Sequence, residues 1–111
     1  MGTSRNDILV MAKTIWGEAR GEQYQGQVAV GWVIRNRCEK GGWFGNSIRD
    51  VCLKAYQFSC WNNDDCNKPQ IDKLTPENST QLRAMVDIAK GIYIQPHVQL
   101  MTSLHFKKVL V

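Results

Sequence analysis

The stretch Asp7-Ile8-Leu9-Val10-Met11-Ala12-Lys13-Thr14-Ile15-Trp16-Gly17-Glu18-Ala19-Arg20-Gly21-Glu22 decides how this chain is read. Ser4 with Asp7 three residues on forms a capping-box pattern, and Ile8, Leu9, Ala12, Ile15 and Trp16 then recur at helical spacing on one face. The spacing predicts a first helix over about residues 5–17. That helix runs into Gly17-Glu18-Ala19-Arg20-Gly21-Glu22, a short segment in which two carboxylates and a guanidinium lie among two glycines.

Downstream, a second apolar series opens at Tyr24 and continues through Val28, Trp32 and Cys38. Ala29, Val30, Val33 and Ile34 widen its stripe until it is nearly all-round. A helix of that kind sits centrally and is buried on most sides. Gly41, Gly42 and Gly45 break the pattern and define a loop that exposes or half-buries Trp43 and Phe44. Asn46 or Ser47 then caps a short helix from Ile48 to Leu53. Residues 56–65 have no helical period and are dense in amide, hydroxyl and aromatic groups, which reads as an irregular functional loop. Thr75-Pro76-Glu77 has the chemistry of a helix start, and Leu82, Met85, Val86 and Ala89 trace one face of a fourth helix ending at Gly91. Beyond Pro96, Val98 to Val111 is β-prone in places, at Leu104, Phe106, Val109 and Leu110, with a poor period. The fold class expected is mainly α, with little β structure, in one domain covering residues 1–111 and without internal repeat, low-complexity tract or linker.

At 111 residues the chain has room for one domain. Its 43% hydrophobic and 22% charged content excludes intrinsic disorder. Fourteen Lys and Arg against ten Asp and Glu give a net charge of +4 and a pI near 9.0. Such a balance suits an anionic polymer, but the basic residues are scattered, so nothing specifies nucleic acid. No apolar run approaches the roughly 18 residues of a membrane helix, and the N-terminus lacks signal-peptide order. A soluble chain without stable membrane insertion and without its own export signal is therefore expected. Cys38, Cys52, Cys60 and Cys66 lack the close pairs of most zinc sites. In an oxidising compartment they could form one or two disulfides, with Cys52–Cys60 or Cys60–Cys66 closing short loops.

Among the acidic residues Glu18 is the most suggestive. Burial beside Trp16 would raise its pKa toward the range a general acid needs. Glu22 lies within reach of Arg20 or of the second helix's N-terminal amides, and either partner would hold it ionised. The plainer alternative is that Glu22 caps that helix and Glu18 is a solvated turn residue, since helix ends are rich in Glu. In the later loop, Gln57, Ser59 and Asn62 can bond sugar hydroxyls and N-acetyl groups, while Tyr56, Phe58 or Trp61 offer flat apolar faces. The alternative there is an ordinary loop anchored in the core by Phe58 and Trp61, and for Phe58 the core is favoured. His97 and His105 are too few and too far apart for a metal centre. No Ser-His-Asp order, phosphate loop or HExxH pattern is present. Neither a metal nor an organic cofactor is expected.

Together these residues resemble the SleB/CwlJ-type cell wall hydrolases, found in spore-cortex-lytic enzymes and in many bacterial and phage lysins. The resemblance rests on Ala12 through Glu22, on Gly26-Gln27-Val28-Ala29-Val30, on Asn36-Arg37 and on Gln57-Phe58-Ser59, and covers residues 8 to about 92. The stretch from Val51 to Asn62 is closer to versions from Gram-negative bacteria and their phages than to the spore enzymes. The resemblance implies a helical domain similar to lytic transglycosylases and goose-type lysozymes, with a groove for the glycan strand. It makes Glu18 the catalytic acid/base and gives Arg20, Glu22, Gln57 and Ser59 supporting or substrate-positioning roles, beside Phe58, Trp61 and Asn62 in the same loop.

The implied partner is the peptidoglycan glycan strand, met by a monomer outside the cytoplasmic membrane, in the periplasm or beyond the cell. Release by phage lysis or an upstream signal would bring the protein there. A lone carboxyl suits a lytic transglycosylase, in contrast to the usual two-carboxylate glycosidase. A muramidase, and an amidase, which usually needs zinc, are the rival enzymes. The sequence departs from the family at Met101-Thr102-Ser103-Leu104-His105-Phe106, where only Leu104-His105-Phe106 is reminiscent and the usual Gly-Gly turn is missing. That departure implies a shortened C-terminus, and with it the further alternative of a non-catalytic peptidoglycan binder. A small nucleic-acid binder rests on the charge alone.

Overall fold

A computed structural model describes residues 2–55 and 57–95 of the chain. It contains five α-helices: α1 (Gly2–Ala19), α2 (Tyr24–Lys40), α3 (Ile48–Leu53), α4 (Lys68–Lys73) and α5 (Thr80–Tyr93). Single 3-10 turns lie at Gly42–Phe44 and Ser59–Trp61, and no strand occurs among the described residues. The mainly α expectation holds. Tyr56, His97 and the β-prone segment with Leu104-His105-Phe106 lie outside the described residues.

Helix α1 packs against α2, α3 and α5 and also meets the Ser59–Trp61 turn. Its second half is buried on several sides, through Val10, Met11, Ala12, Thr14, Ile15, Trp16 and Ala19. It therefore shares the central position that the sequence reading assigns to α2, whose residues from Ala29 to Arg35 form a continuous buried run. Gly31 lets α2 and α5 close together, since a Cβ there would meet the tip of Ile92.

Helix α1 starts at Gly2 and not near residue 5, so Ser4 and Asp7 lie inside it and form no capping box. Asp7 is buried instead, and its Oδ1 accepts the Arg49 N–H of α3 at 3.0 Å. Ser47, rather than Asn46, is the N-cap of α3, accepting the Asp50 N–H at 3.0 Å. Two side chains from different elements thus satisfy orphan donors of one six-residue helix.

The fourth predicted helix begins later than expected. Thr75 and Asn78 close a turn on themselves: the Thr75 N–H donates to Asn78 Oδ1 and the Asn78 N–H to Thr75 Oγ1. Helix α5 then starts at Thr80, capped by Ser79, whose hydroxyl accepts the Leu82 N–H at 3.0 Å. Its buried face, Leu82, Met85, Ile88, Ala89 and Ile92, matches the predicted stripe with Ile88 in place of Val86. Helix α4 is a further element, with Pro69 in its first turn and Ile71 fully buried. The C-terminal end of α5 is closed by Arg35 of α2, which donates to the carbonyls of Ile92 (2.8 Å) and Gln95 (2.8 Å).

All four cysteines are free thiols, so neither the Cys52–Cys60 nor the Cys60–Cys66 bridge is formed. No helix among the described residues is long and apolar enough to cross a membrane.

Candidate active site

Glu18 sits in the last turn of α1, because the helix continues through Gly17 to Ala19. Its side chain is exposed, which corrects the expectation of an apolar pocket beside Trp16. Arg20 takes that aromatic face instead: its guanidinium lies 4.1 Å from the Trp16 ring centroid. The same guanidinium donates to the Trp16 carbonyl (3.4 Å) and to Asn67 Oδ1 (3.0 Å), joining the end of α1 to the start of α4.

The Glu18 carboxylate reaches the Ser59–Trp61 turn, where Oε2 accepts the backbone N–H of Cys60 at 3.2 Å. Gly17 makes that approach possible. A Cβ on residue 17 would stand 2.5 Å from Cys60 Cβ and 2.6 Å from its Sγ. The Cys60 thiol faces the same carboxylate. Burial first, and then the negative charge and hydrogen bond of Glu18, push its pKa well above the usual thiol value. The chain thus presents an exposed carboxylate whose direction is set by a backbone amide 42 residues away.

Glu22 is exposed in the α1–α2 turn and folds its stem over Gly26, where an added Cβ would lie 3.0 Å from Glu22 Cβ. Gln27 pins this turn, donating from Nε2 to the carbonyls of Ala19 (3.3 Å) and Glu22 (3.2 Å). The Gly26-Gln27 part of the sequence motif therefore shapes the segment that follows Glu18. Sequence reasoning assigns neither residue to the site, although both belong to the motif.

Of the loop residues, Gln57 accepts from Arg37 Nη1 at 3.5 Å. The Arg37 guanidinium lies between the rings of Phe44 and Phe58, at 5.5 and 5.3 Å from their centroids. Phe58 is only 5% exposed and belongs to the core. That is the core placement the sequence reading favours for this ring. Ser59 is exposed directly before the Cys60 amide. Trp61 is half-buried; its Nε1 donates to Thr14 Oγ1 at 2.8 Å, and that hydroxyl in turn donates to the Val10 carbonyl at 2.7 Å. Trp61 and Asn62 line a surface pocket of about 420 Å³ that does not include Glu18. The structure therefore brings Glu18, Ser59 and Cys60 together, places Trp61 and Asn62 on adjoining surface, and holds Arg20 and Gln57 in contacts that brace the site. Among the described residues no three His, Cys, Asp or Glu side chains cluster to hold a metal ion.

A family model described as Cell Wall Hydrolase matches residues 21–108. The chain belongs to the cell wall hydrolase family, of the SleB/CwlJ type. The matched span opens three residues after Glu18 and includes Met101-Thr102-Ser103-Leu104-His105-Phe106.

Relatives include three proteins named spore cortex-lytic enzyme. That of Bacillus cereus is 38% identical over 90 residues, 81% of this chain and 32% of its own length. That of Bacillus subtilis is 45% identical over 58 residues, 52% of this chain and 19% of its own. That of Halalkalibacterium halodurans is 64% identical over 90 residues, 81% of this chain and 25% of its own. The chain thus spans a third or less of the length of these relatives. No solved structure matches it.

Proposed function

We propose that this chain, as a single catalytic domain, cleaves the glycan backbone of peptidoglycan after N-acetylmuramic acid. It acts as a lytic transglycosylase and leaves 1,6-anhydro-muramic ends. The observation that carries the reading is the exposed Glu18 carboxylate at the end of a buried helix, oriented by the Cys60 amide. Membership in the cell wall hydrolase family and the names of the relatives support the substrate.

In this mechanism the Glu18 carboxyl gives its proton to the glycosidic oxygen, and the bond from that oxygen to the muramic C1 breaks. The carboxylate so formed takes the proton of the muramic 6-hydroxyl while O6 attacks C1 and closes the anhydro ring. Glu18 ends protonated, as it began, and no water is consumed. One carboxyl serves both steps, so the reaction needs no second nucleophile of the kind a retaining glycosidase uses. The Cys60 amide holds the carboxylate in one direction through both proton transfers, which is what positioning contributes to rate. Ser59, exposed beside that amide, bonds a sugar hydroxyl in this reading. Arg20, Glu22 and Gln57 act by shaping the walls. The substrate lies outside the cytoplasmic membrane, so the protein works in the periplasm or beyond the cell.

Mass spectrometry of the soluble products from purified peptidoglycan, with Glu18→Gln beside the parent chain, tests this. The expected result is muropeptides with 1,6-anhydro-muramic ends from the parent and none from the variant. Reducing muramic ends would assign hydrolysis by water, and free stem peptides an amidase. Equal cleavage by Glu18→Gln would remove Glu18 from the chemistry.

A further inference from the structure

Trp43 is 65% exposed, although an indole is the largest apolar side chain a fold has to bury. Two neighbours contact the ring. Phe44 meets it edge-on, with centroids 5.4 Å apart at 79°, and the Lys54 ammonium lies 4.4 Å from its ring centroid. The loop that carries it has positive φ at Gly41 (67°), Gly42 (59°) and Gly45 (122°). Gly45 presses on α3 so closely that a Cβ there would stand 3.0 Å from Asp50 Cβ and 3.1 Å from the Val51 nitrogen. A ring fixed in this way loses little conformational entropy when a ligand stacks on it.

Lys54, the residue that touches Trp43, also lines the 420 Å³ pocket, together with Trp61, Asn62, Asn63 and Asp64. Trp61 directly follows Cys60, whose amide holds Glu18. Trp61 thus links the pocket to the turn that holds Glu18, and Lys54 links the same pocket to Trp43. The chemistry of this surface alternates as a pyranose does. Trp61 and Trp43 offer flat apolar surfaces for C–H faces, and between them Asn62, Asn63, Lys54 and Asp64 offer donors and acceptors for hydroxyl and acetamido edges.

We infer that the pocket and Trp43 form a subsite, separate from the bond at Glu18, that binds N-acetylhexosamine units of the same glycan strand. This inference rests on the glycan-cleaving reading for its substrate class. The subsite makes the protein favour long strands over short ones. It does so through binding, not chemistry, because none of its groups reaches Glu18.

The test measures calorimetric affinity for N-acetylglucosamine trisaccharide and hexasaccharide in the full chain carrying Glu18→Gln, with and without Trp43→Ala or Trp43→Phe. The hexasaccharide is expected to bind about tenfold more tightly than the trisaccharide; Trp43→Ala removes that advantage and Trp43→Phe keeps most of it. Unchanged hexasaccharide affinity in Trp43→Ala, or no hexasaccharide binding at all, overturns the subsite. The two readings fail separately. Trp43-dependent binding with no cut strands in a peptidoglycan digest leaves the subsite standing and removes the cleavage. Glu18-dependent cleavage with Trp43-independent binding does the reverse.

Discussion

The backbone amide of Cys60 donates to the Glu18 carboxylate at 3.2 Å, and it reaches that far into α1 only because residue 17 has no side chain. Gly17→Ala tests the relationship. Alanine in the interior of a helix would ordinarily stabilise by about 1 kcal/mol over glycine. Here its Cβ would fall 2.5 Å from Cys60 Cβ, an overpacking that costs about 1–3 kcal/mol and pushes the Ser59–Trp61 turn outward. The expected outcome is a lower Tm and a wall-lysis rate reduced by about tenfold or more, as the amide leaves the carboxylate. Adding Cys60→Gly, which keeps the amide and removes the obstructing side chain, should recover part of both. A Gly17→Ala chain as stable and as active as the parent would show that the close approach is unimportant.

Cys52 and Cys60 set an alkaline limit on stability. Desolvation raises the Cys52 thiol to about 12, against an opposing hydrogen bond with Thr14. Burial and Glu18 raise Cys60 as well. Both folded-state values lie above the ordinary thiol value of 9.0. Below that pH both states keep their protons and the contribution is complete. As pH climbs past it, only the unfolded chain ionises, and stability falls by about 1.4 kcal/mol per pH unit for each thiol. Denaturant unfolding at pH 8 and at pH 10–11 should show the decline, and Cys52→Ala should flatten its slope even though that variant starts less stable. An equally steep decline in Cys52→Ala would assign the pH effect to other groups.

The same burial predicts which thiols react. Cys66 is exposed, Cys38 is half-buried with a raised pKa, and Cys52 and Cys60 are buried. Ellman's reagent at pH 8 should titrate Cys66 quickly and Cys38 slowly, with the remaining two released only by guanidinium chloride. Fast modification of Cys60 in the native protein would contradict its packing against Gly17, and so would bear on the carboxylate it orients.

The contrast between what the sequence revealed and what it hid follows from range. Helix α2 and the buried face of α5 were legible because their apolar residues repeat locally, and the glycines at 41, 42 and 45 ended α2 as glycines do. Helix α4 left no signal, since six residues with one buried side chain, Ile71, make no period. Thr75-Pro76-Glu77 misled because its helix-start chemistry is real, while the Asn78 amide diverts the same backbone groups into a turn. Glu18 stood out through its motif, yet the group that orients it is a backbone amide 42 residues away, to which side-chain identity gives no clue. Asp7 shows the same limit: its local partner Ser4 suggested a cap on its own helix, and its actual partner is Arg49.

Arg35 carries the last prediction. It is 9% exposed, and its guanidinium donates to the Ile92 and Gln95 carbonyls at 2.8 Å each, with Nε on Glu39 Oε1 at 3.0 Å. Ile92 lies in the last turn of α5 and Gln95 just past it; the Ile92 carbonyl also accepts the Gln95 N–H at 3.2 Å, so the fork to both carbonyls ties this chain segment to α2. A planar fork reaches both at once; a lysine ammonium on a single stem does not. Arg35→Lys should therefore cost about 1.5 kcal/mol in denaturant unfolding, through one lost charge-assisted bond. Glu39→Gln should cost well under about 1 kcal/mol, because that half of the ion pair is 50% exposed and water competes for it. Arg35 does not contact the Glu18 turn, so at a temperature where the folded state dominates, Arg35→Lys should lyse walls at the parent rate. A variant that loses activity but not stability would instead tie the end of α5 to the reaction.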